Sequence, residues 1–87
     1  MTRIETMRAR LGTLDPVSLQ IIDESDKHAG HAGARDGGGH YVLHIVSALF
    51  AGKNTVARHR MVYSALGEMM KCEIHALTIE AHTPSEI

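Results

Sequence analysis

Imidazole groups cluster in one short stretch of this sequence, HAGHAGARDGGGH at residues 28–40, where His28, His31 and His40 stand among glycines. Neutral imidazole is a common metal ligand. A structural zinc site usually recruits thiolates from a CxxC pair, which the stretch lacks. A glycine-rich phosphate loop needs a following GK with Ser or Thr and a helix N-terminus, which are also missing. The spacing leaves two interpretations open, a metal-binding loop or a loop of solvated histidines.

A further histidine, His75, stands in CEIHAL, where a predicted helix meets the last predicted strand. It shares the parity of Leu77 and Ile79, which predicts a partly buried ring that donates to a backbone carbonyl. The same periodicity makes Cys72 a small buried hydrophobe. The sequence shows no Ser, His and Asp set, no paired carboxylates and no CxxC redox motif. We therefore predict that the protein is not an enzyme.

The most basic stretch consists of Lys53 together with Arg58, His59 and Arg60, just before and within a predicted helix. These side chains are candidates for contacts with nucleic-acid phosphates. The alternative is a solvated helix face whose charge is balanced by Glu68. Because the formal net charge is −1 and only three residues are aromatic, long-range attraction for nucleic acid and platforms for base stacking are both scarce.

Length and composition limit the kinds of protein that this chain can be. Its 87 residues suffice for one small domain, which we predict to span residues 1–87. The longest apolar run is far shorter than the roughly 20 residues that cross a bilayer, and the N-terminal stretch MTRIETMRAR lacks a signal-peptide core. A cytoplasmic protein without a membrane partner is expected. The single cysteine excludes an internal disulfide.

Hydrophobic periodicity predicts a short helix over residues 2–11, capped by Thr2, and then a strand over residues 17–23. A glycine-rich connection over residues 26–39 leads to a central strand over residues 40–49, which is rich in β-branched residues. The residues predicted to face inward are Leu19 and Ile21 in the first strand and Tyr41, Leu43, Ile45 and Ser47 in the second.

A second helix over residues 55–71 and a third strand over residues 75–83 complete the predicted fold. The helix is expected to carry its apolar face on Val56, Tyr63, Leu66 and Met70. A strand, a helix and a further strand normally join in parallel with right-handed chirality, whereas the first two strands can pair antiparallel. We predict an α+β fold of order αββαβ, with a mixed three-stranded sheet and helices packed on one face.

The segment HYVLHIVSALFAGKNTVARHRMVYSALGEMMKCEIHALTIEAHTPSE resembles the BolA proteins. The shared pattern is a histidine and an aromatic residue, alternating aliphatic residues, VS, F and G, then RHR with VY and L, then HAL and a TPxE ending. The resemblance covers essentially the whole chain, since DES and HA at 23–29 also fit. It implies a fold similar to type II KH domains, in agreement with the predicted element order.

The BolA resemblance also implies a partner, a monothiol glutaredoxin, and a [2Fe-2S] cluster shared between the two proteins and glutathione. In the family the histidine of the HAL motif is a cluster ligand, which is His75 here. A second ligand comes from the preceding loop, at His28 or at the adjacent candidate His31. The residue that matches His40 is interpreted as structural first. Since such a cluster needs about four ligands and this chain has one cysteine, it cannot hold the cluster alone.

The expected function is therefore non-enzymatic participation in iron-sulfur cluster trafficking or iron homeostasis, by a protein that is a monomer or a weak homodimer when alone. The alternative is a DNA-binding transcriptional regulator that uses the KH-like fold and the basic helix. Against it, the turn AGKN at 51–54 lacks the GXXG that clamps the nucleic-acid backbone in KH domains. His44 also departs from the family pattern and is expected to be solvent-exposed.

Overall fold

A computed structural model describes residues 2–24 and 39–87. Its three strands form one sheet in the order β1 (Ser18–Asp23), β2 (Gly39–Val46) and β3 (Ile74–His82). Strand β1 pairs antiparallel with β2, and β2 pairs parallel with β3. The predicted mixed sheet and both predicted strand directions are confirmed.

Three α-helices accompany the sheet, namely α1 (Arg3–Leu11), α2 (Thr55–Leu66) and the short α3 (Met69–Cys72). Short 3₁₀ turns occupy Gly12–Leu14, Ala48–Phe50 and Pro84–Glu86. The core lies between the helices and one face of the sheet, as predicted for this α+β fold. Its buried members are Met7, Leu11, Leu14, Ile21, Tyr41, Leu43, Ile45, Phe50, Val62, Leu66, Met69 and Ile74.

Helix α1 begins where its sequence predicts. The Thr2 hydroxyl accepts a hydrogen bond from the Glu5 amide at 3.1 Å, and the Glu5 carboxylate accepts one from the Thr2 amide at 3.0 Å. This reciprocal capping satisfies two backbone donors that the helix itself cannot pair. Met7 and Leu11 are completely buried, which anchors the helix to the core.

The predicted inward faces of the first two strands are confirmed. Ile21, Tyr41, Leu43 and Ile45 are buried, while Leu19 is half-buried against them. The central strand ends at Val46, earlier than predicted, because Ser47 begins a 3₁₀ turn. The Ser47 hydroxyl donates to the Leu14 carbonyl at 2.6 Å and accepts from the Leu49 amide at 3.1 Å. Ser47 therefore ties the end of β2 to the turn after α1.

The prediction of one continuous helix over residues 55–71 is wrong, and the residues predicted to form its buried face are only partly correct. It is interrupted at Gly67, which adopts a positive φ of 58°, and α3 resumes at Met69. Val56 and Tyr63 are 58% and 41% exposed, not part of the buried face. The buried positions are Val62 and Leu66 in α2, which are four residues apart and share one helix face, and Met69 at the start of α3.

In the described part of the chain, no helix combines the length and the apolar character needed to cross a membrane.

Candidate functional site

His75 lies at the beginning of β3, where the pairing with β2 is irregular. Gly39 pairs with Ile74 and His40 pairs with Ala76, so His75 is an extra residue on β3. This bulge breaks the strand parity: Ile74 is buried and Leu77 is half-buried against the core, while His75 is exposed. The prediction of a partly buried His75 is therefore wrong, and its ring is accessible to a ligand or a partner.

His40 is the neighbour of His75 across the bulge. The centroids of the two imidazole rings lie 5.0 Å apart, with an angle of 40° between the ring planes. His40 is half-buried, in keeping with a structural part for this residue. The two rings lie next to each other at one end of the sheet, and neutral imidazole nitrogen is a good ligand for iron, zinc and copper.

The strand ends that carry these histidines are held by backbone and side-chain contacts. The Gly39 amide donates to the Glu73 carbonyl at 3.0 Å, and the Glu24 amide donates to the His40 carbonyl at 2.8 Å. Gly39 has no room for a side chain, because an added Cβ would collide with the Tyr41 ring. The starts of β2 and β3 are thus fixed to each other directly beneath the two imidazoles.

Arg3 strengthens this end of the sheet and was missed by the sequence analysis. Its guanidinium donates to the Tyr41 hydroxyl at 3.3 Å and lies 3.9 Å from the Glu73 carboxylate. The hydrogen bond to Tyr41 raises the pKa of Arg3, with smaller contributions from the charges around it. No local pattern relates Arg3 to residues about 40 and 70 positions later, so only the folded chain reveals the cluster.

The two predicted loop ligands, His28 and His31, lie outside the described residues. Among the side chains that the structure describes, no three of His, Cys, Asp or Glu are grouped closely enough to hold a metal ion.

The residues of the predicted basic cluster differ in their contacts and in their exposure to solvent. Arg58 donates to both carboxylate oxygens of Glu86, at 2.7 and 2.9 Å, and also to the carbonyls of Ala81 and Lys53, at 3.0 and 2.9 Å. Its guanidinium carbon lies 5.9 Å from the centre of the Phe50 ring. These contacts commit the Arg58 guanidinium to the protein itself.

The other members of the basic cluster differ in exposure. Lys53 and Arg60 are exposed, whereas His59 is half-buried and packs edge-on against Tyr63, with ring centroids 6.5 Å apart. Of the predicted phosphate ligands, Lys53 and Arg60 thus present their charges to solvent.

The Arg58–Glu86 pair changes the acid–base behaviour of both groups. Hydrogen bonds from Arg58, and then from the Thr83 amide, lower the pKa of Glu86 to about 2. The same pairing raises the pKa of Arg58. Both groups therefore stay charged at neutral pH, and the pair joins α2 to the segment after β3.

The chain is similar in sequence to several known proteins. Residues 11–86 match the family model described as BolA-like protein. The chain is 48% identical over 79 residues to "SufE-like protein 1, chloroplastic/mitochondrial" of Arabidopsis thaliana, a match that covers 85% of this chain and 21% of that protein. The chain thus spans about a fifth of that relative. It is 37% identical to "DNA-binding transcriptional regulator BolA" of Escherichia coli (strain K12), covering 94% of this chain and 72% of that one.

A solved structure agrees with these matches. The "BolA domain of SufE1 from Arabidopsis thaliana" superposes with a TM-score of 0.87 and 44% sequence identity, and the alignment covers 100% of this chain and 98% of that one. The names of these three similar proteins describe no enzymatic reaction. The family-model match over residues 11–86 and the superposition on this solved structure lead to one conclusion: the chain belongs to the BolA-like protein family.

Proposed function

We propose that this protein is a non-enzymatic partner of a monothiol glutaredoxin, with which it shares a [2Fe-2S] cluster in iron-sulfur cluster trafficking or iron homeostasis. The observation that supports this most strongly is the exposure of His75 on the bulge of β3. A ligand that completes a cluster presented by another protein must be accessible from outside, and a buried histidine would not serve.

The iron ligands that this chain can supply are enough for a cluster shared with another protein, but too few for a cluster held by this chain alone. His75 supplies one imidazole, and His28 or His31 supplies the second. Since histidine can replace cysteine on one iron, two imidazoles with thiolates from the glutaredoxin and from glutathione meet the need for four ligands. When bound, the cluster would supply one-electron redox chemistry or serve as cargo for transfer. The residues of this chain bind it and orient it.

Connectivity also supports a second ligand from the segment after β1. The Glu24 amide bonds to the His40 carbonyl, so the chain leaves the described sheet beside the His40 and His75 rings. His28 follows Glu24 by four positions and His31 by seven, so His28 is nearer in sequence to this strand end. His28 is therefore the first choice for the second ligand and His31 the alternative.

Reconstitution tests this proposal. The protein is mixed with a monothiol glutaredoxin, glutathione, iron and sulfide, and visible circular dichroism is compared with that of the glutaredoxin alone. We expect a new spectrum for the mixture and its loss in His75→Ala, because that variant removes one iron ligand. His44→Ala is the matched control, since His44 is also an exposed histidine, on the neighbouring strand.

Two outcomes would contradict the proposal: a mixed-complex spectrum that persists unchanged in His75→Ala, or the absence of any complex with the glutaredoxin. His28→Ala and His31→Ala then distinguish the two loop candidates, because only the variant that lacks the true ligand should change the spectrum.

A second candidate function is DNA-binding regulation. It is favoured by the name of the Escherichia coli relative and by the exposed cations of Lys53 and Arg60. It is weakened by the pairing of Arg58 with Glu86, which removes one expected phosphate ligand. We therefore place it after the glutaredoxin partnership.

A further inference from the structure

An open groove crosses the helical side of the molecule, between the turn that follows α1 and the outer side of α2. It is lined by Thr13, Leu14, Arg60, Met61, Ser64 and Ala65, and its volume is about 440 Å³. This volume falls in the range of roughly 300–1,000 Å³ that is typical of ligand sites. The groove shares no residue with the His40–His75 end of the sheet, so it is unrelated to the proposed cluster.

The lining of the groove is mostly apolar at its centre and polar at its rim. Leu14 is buried, and Met61 and Ala65 are half-buried parts of the hydrophobic core that remain open on this side. Thr13 and Ser64 are exposed and place hydroxyl groups at the margin. An unbranched methionine adapts its shape to different apolar partners. The centre therefore suits an inserted aliphatic side chain.

One cationic side chain lines the groove, and a second lies near it in the fold. Arg60 is exposed at the rim, and Arg10 donates to the Leu66 carbonyl at 2.9 Å, next to Ala65. Within the ranges that the structure describes, neither arginine forms an ion pair with a carboxylate. Asp15 follows Leu14 in the chain but does not line the groove. The groove is therefore electrostatically complementary to an acidic ligand.

A nucleic acid fits this groove poorly. Its recognition favours several cations and exposed aromatic rings, whereas Tyr41 and Phe50 are buried and the exposed Tyr63 is not part of the lining. A second copy of the chain also fits poorly, because a twofold interface centred here would bring Arg60 against Arg60. A protein segment that carries both apolar and acidic side chains satisfies the centre and the rim together.

We propose that the groove between the turn after α1 and helix α2 docks an acidic, apolar peptide segment of a partner protein. An aliphatic or aromatic side chain of the segment packs on Leu14, Met61 and Ala65. An adjacent Asp or Glu pairs with Arg60. Because this surface is separate from His75, it gives the protein a second binding site that operates with or without a cluster.

The test begins with a display library of random 12-residue peptides selected on the whole protein. Enriched peptides are synthesised with a fluorescent label, and their affinities are measured by anisotropy. We expect enrichment of sequences that combine large apolar residues with two or more Asp or Glu. Arg60→Glu should weaken the binding of these peptides by at least about tenfold, since it reverses the charge that recognises them.

Matched variants make the result specific. Lys53→Glu carries the same charge change at an exposed position outside the groove and should leave affinity within about twofold. Ser64→Glu adds negative charge on the same face of α2, one turn after Arg60, and should weaken binding as Arg60→Glu does. His75→Ala should bind the peptides like the wild type, which separates this result from the cluster proposal.

Four results would overturn the docking site. These are enrichment without acidic residues, equal effects of Arg60→Glu and Lys53→Glu, displacement of the peptides by an equimolar DNA duplex, and self-association that Arg60→Glu abolishes. The last two results would assign the groove to nucleic acid or to a second copy of the chain.

Discussion

The guanidinium group of Arg58 is engaged by contacts within the protein and is largely shielded from solvent. Its guanidinium contacts Glu86, two carbonyl groups and the Phe50 ring, and its side chain is only 13% exposed. Two parallel N–H to oxygen bonds to one carboxylate are the strongest geometry available to arginine. Arg58 therefore fastens α2 to the segment that follows β3, instead of offering its charge to a ligand.

The pH dependence of stability should report on this pair. The pKa of Glu86 is lowered from 4.5 to about 2 in the folded protein. The pair therefore contributes stability fully above the unfolded pKa near 4.5 and loses it as the pH falls toward 2. Between pH 6 and pH 3, urea unfolding of the wild type should lose more free energy than that of Glu86→Gln.

Glu80→Gln is the control for this measurement, because it also removes an exposed carboxylate but leaves the Arg58 contacts in place. It should follow the wild-type pH profile more closely than Glu86→Gln does. Identical pH profiles for the wild type and Glu86→Gln would show that the Arg58 bond contributes nothing to folding.

The ends of the two long helices use glycine for different reasons. Gly12 follows α1 with a φ of −57°, a conformation open to any residue, and an added Cβ there would meet nothing within 4 Å. Gly67 follows α2 with a φ of 58° and a ψ of −126°, which side chains rarely adopt. The break that separates α2 from α3 therefore depends on glycine, whereas the end of α1 does not.

Alanine substitution at these two positions should have opposite effects. Gly67→Ala should destabilise the protein by about 1–3 kcal/mol, because the backbone conformation becomes strained. Gly12→Ala should be neutral or stabilising by up to about 1 kcal/mol, because it reduces the conformational freedom of the unfolded chain. Urea denaturation of the two single variants measures both changes. Equal destabilisation by the two would contradict the assignment of strain to Gly67.

The molecule as a whole carries little net charge, which bears on the DNA alternative. Its formal charge is −1, and Arg58 is neutralised by Glu86. Lys53 and Arg60 remain as the exposed cations of the predicted basic cluster. Attraction to a duplex should therefore be weak and local instead of long-ranged.

The salt dependence of DNA binding gives a quantitative expectation. Two phosphate contacts, from Lys53 and Arg60, imply a slope of about −1.8 for log affinity against log salt concentration. Duplex binding followed at several salt concentrations should give a slope no steeper than this. The double variant Lys53→Ala/Arg60→Ala should abolish this dependence on salt. A slope near −4 or steeper would instead indicate a full nucleic-acid interface and would raise the regulator to the leading function.

Features determined by local patterns could be predicted for this fold. The Thr2 cap, the inward faces of β1 and β2 and the antiparallel and parallel pairings all follow from neighbouring residues or from the handedness of the connections. The burial of α2 was only partly predictable. Val56 and Tyr63 repeat at helical spacing, but the face of α2 that packs on the core is the one that carries Val62 and Leu66.

The candidate site was less predictable than the fold. His75 was identified through its family resemblance, but its exposure depends on a bulge that strand alternation cannot show. The Arg3–Tyr41 and Arg58–Glu86 contacts join residues 38 and 28 positions apart, beyond any helical or strand period. His28 and His31 lie outside the described residues, and their part in the site remains a prediction.

The bulge at His75 leaves room at this position for other side chains. Since the extra residue points away from the core while Ile74 and Leu77 keep their places, a different side chain here leaves the packing of the sheet intact. Cysteine, aspartate or glutamine could each be installed at position 75 to vary donor hardness and charge on an unchanged scaffold. The side chain at position 75 can thus be changed without changing the residues that stabilise the fold. The metal selectivity of the site could therefore be engineered by substitutions at this position.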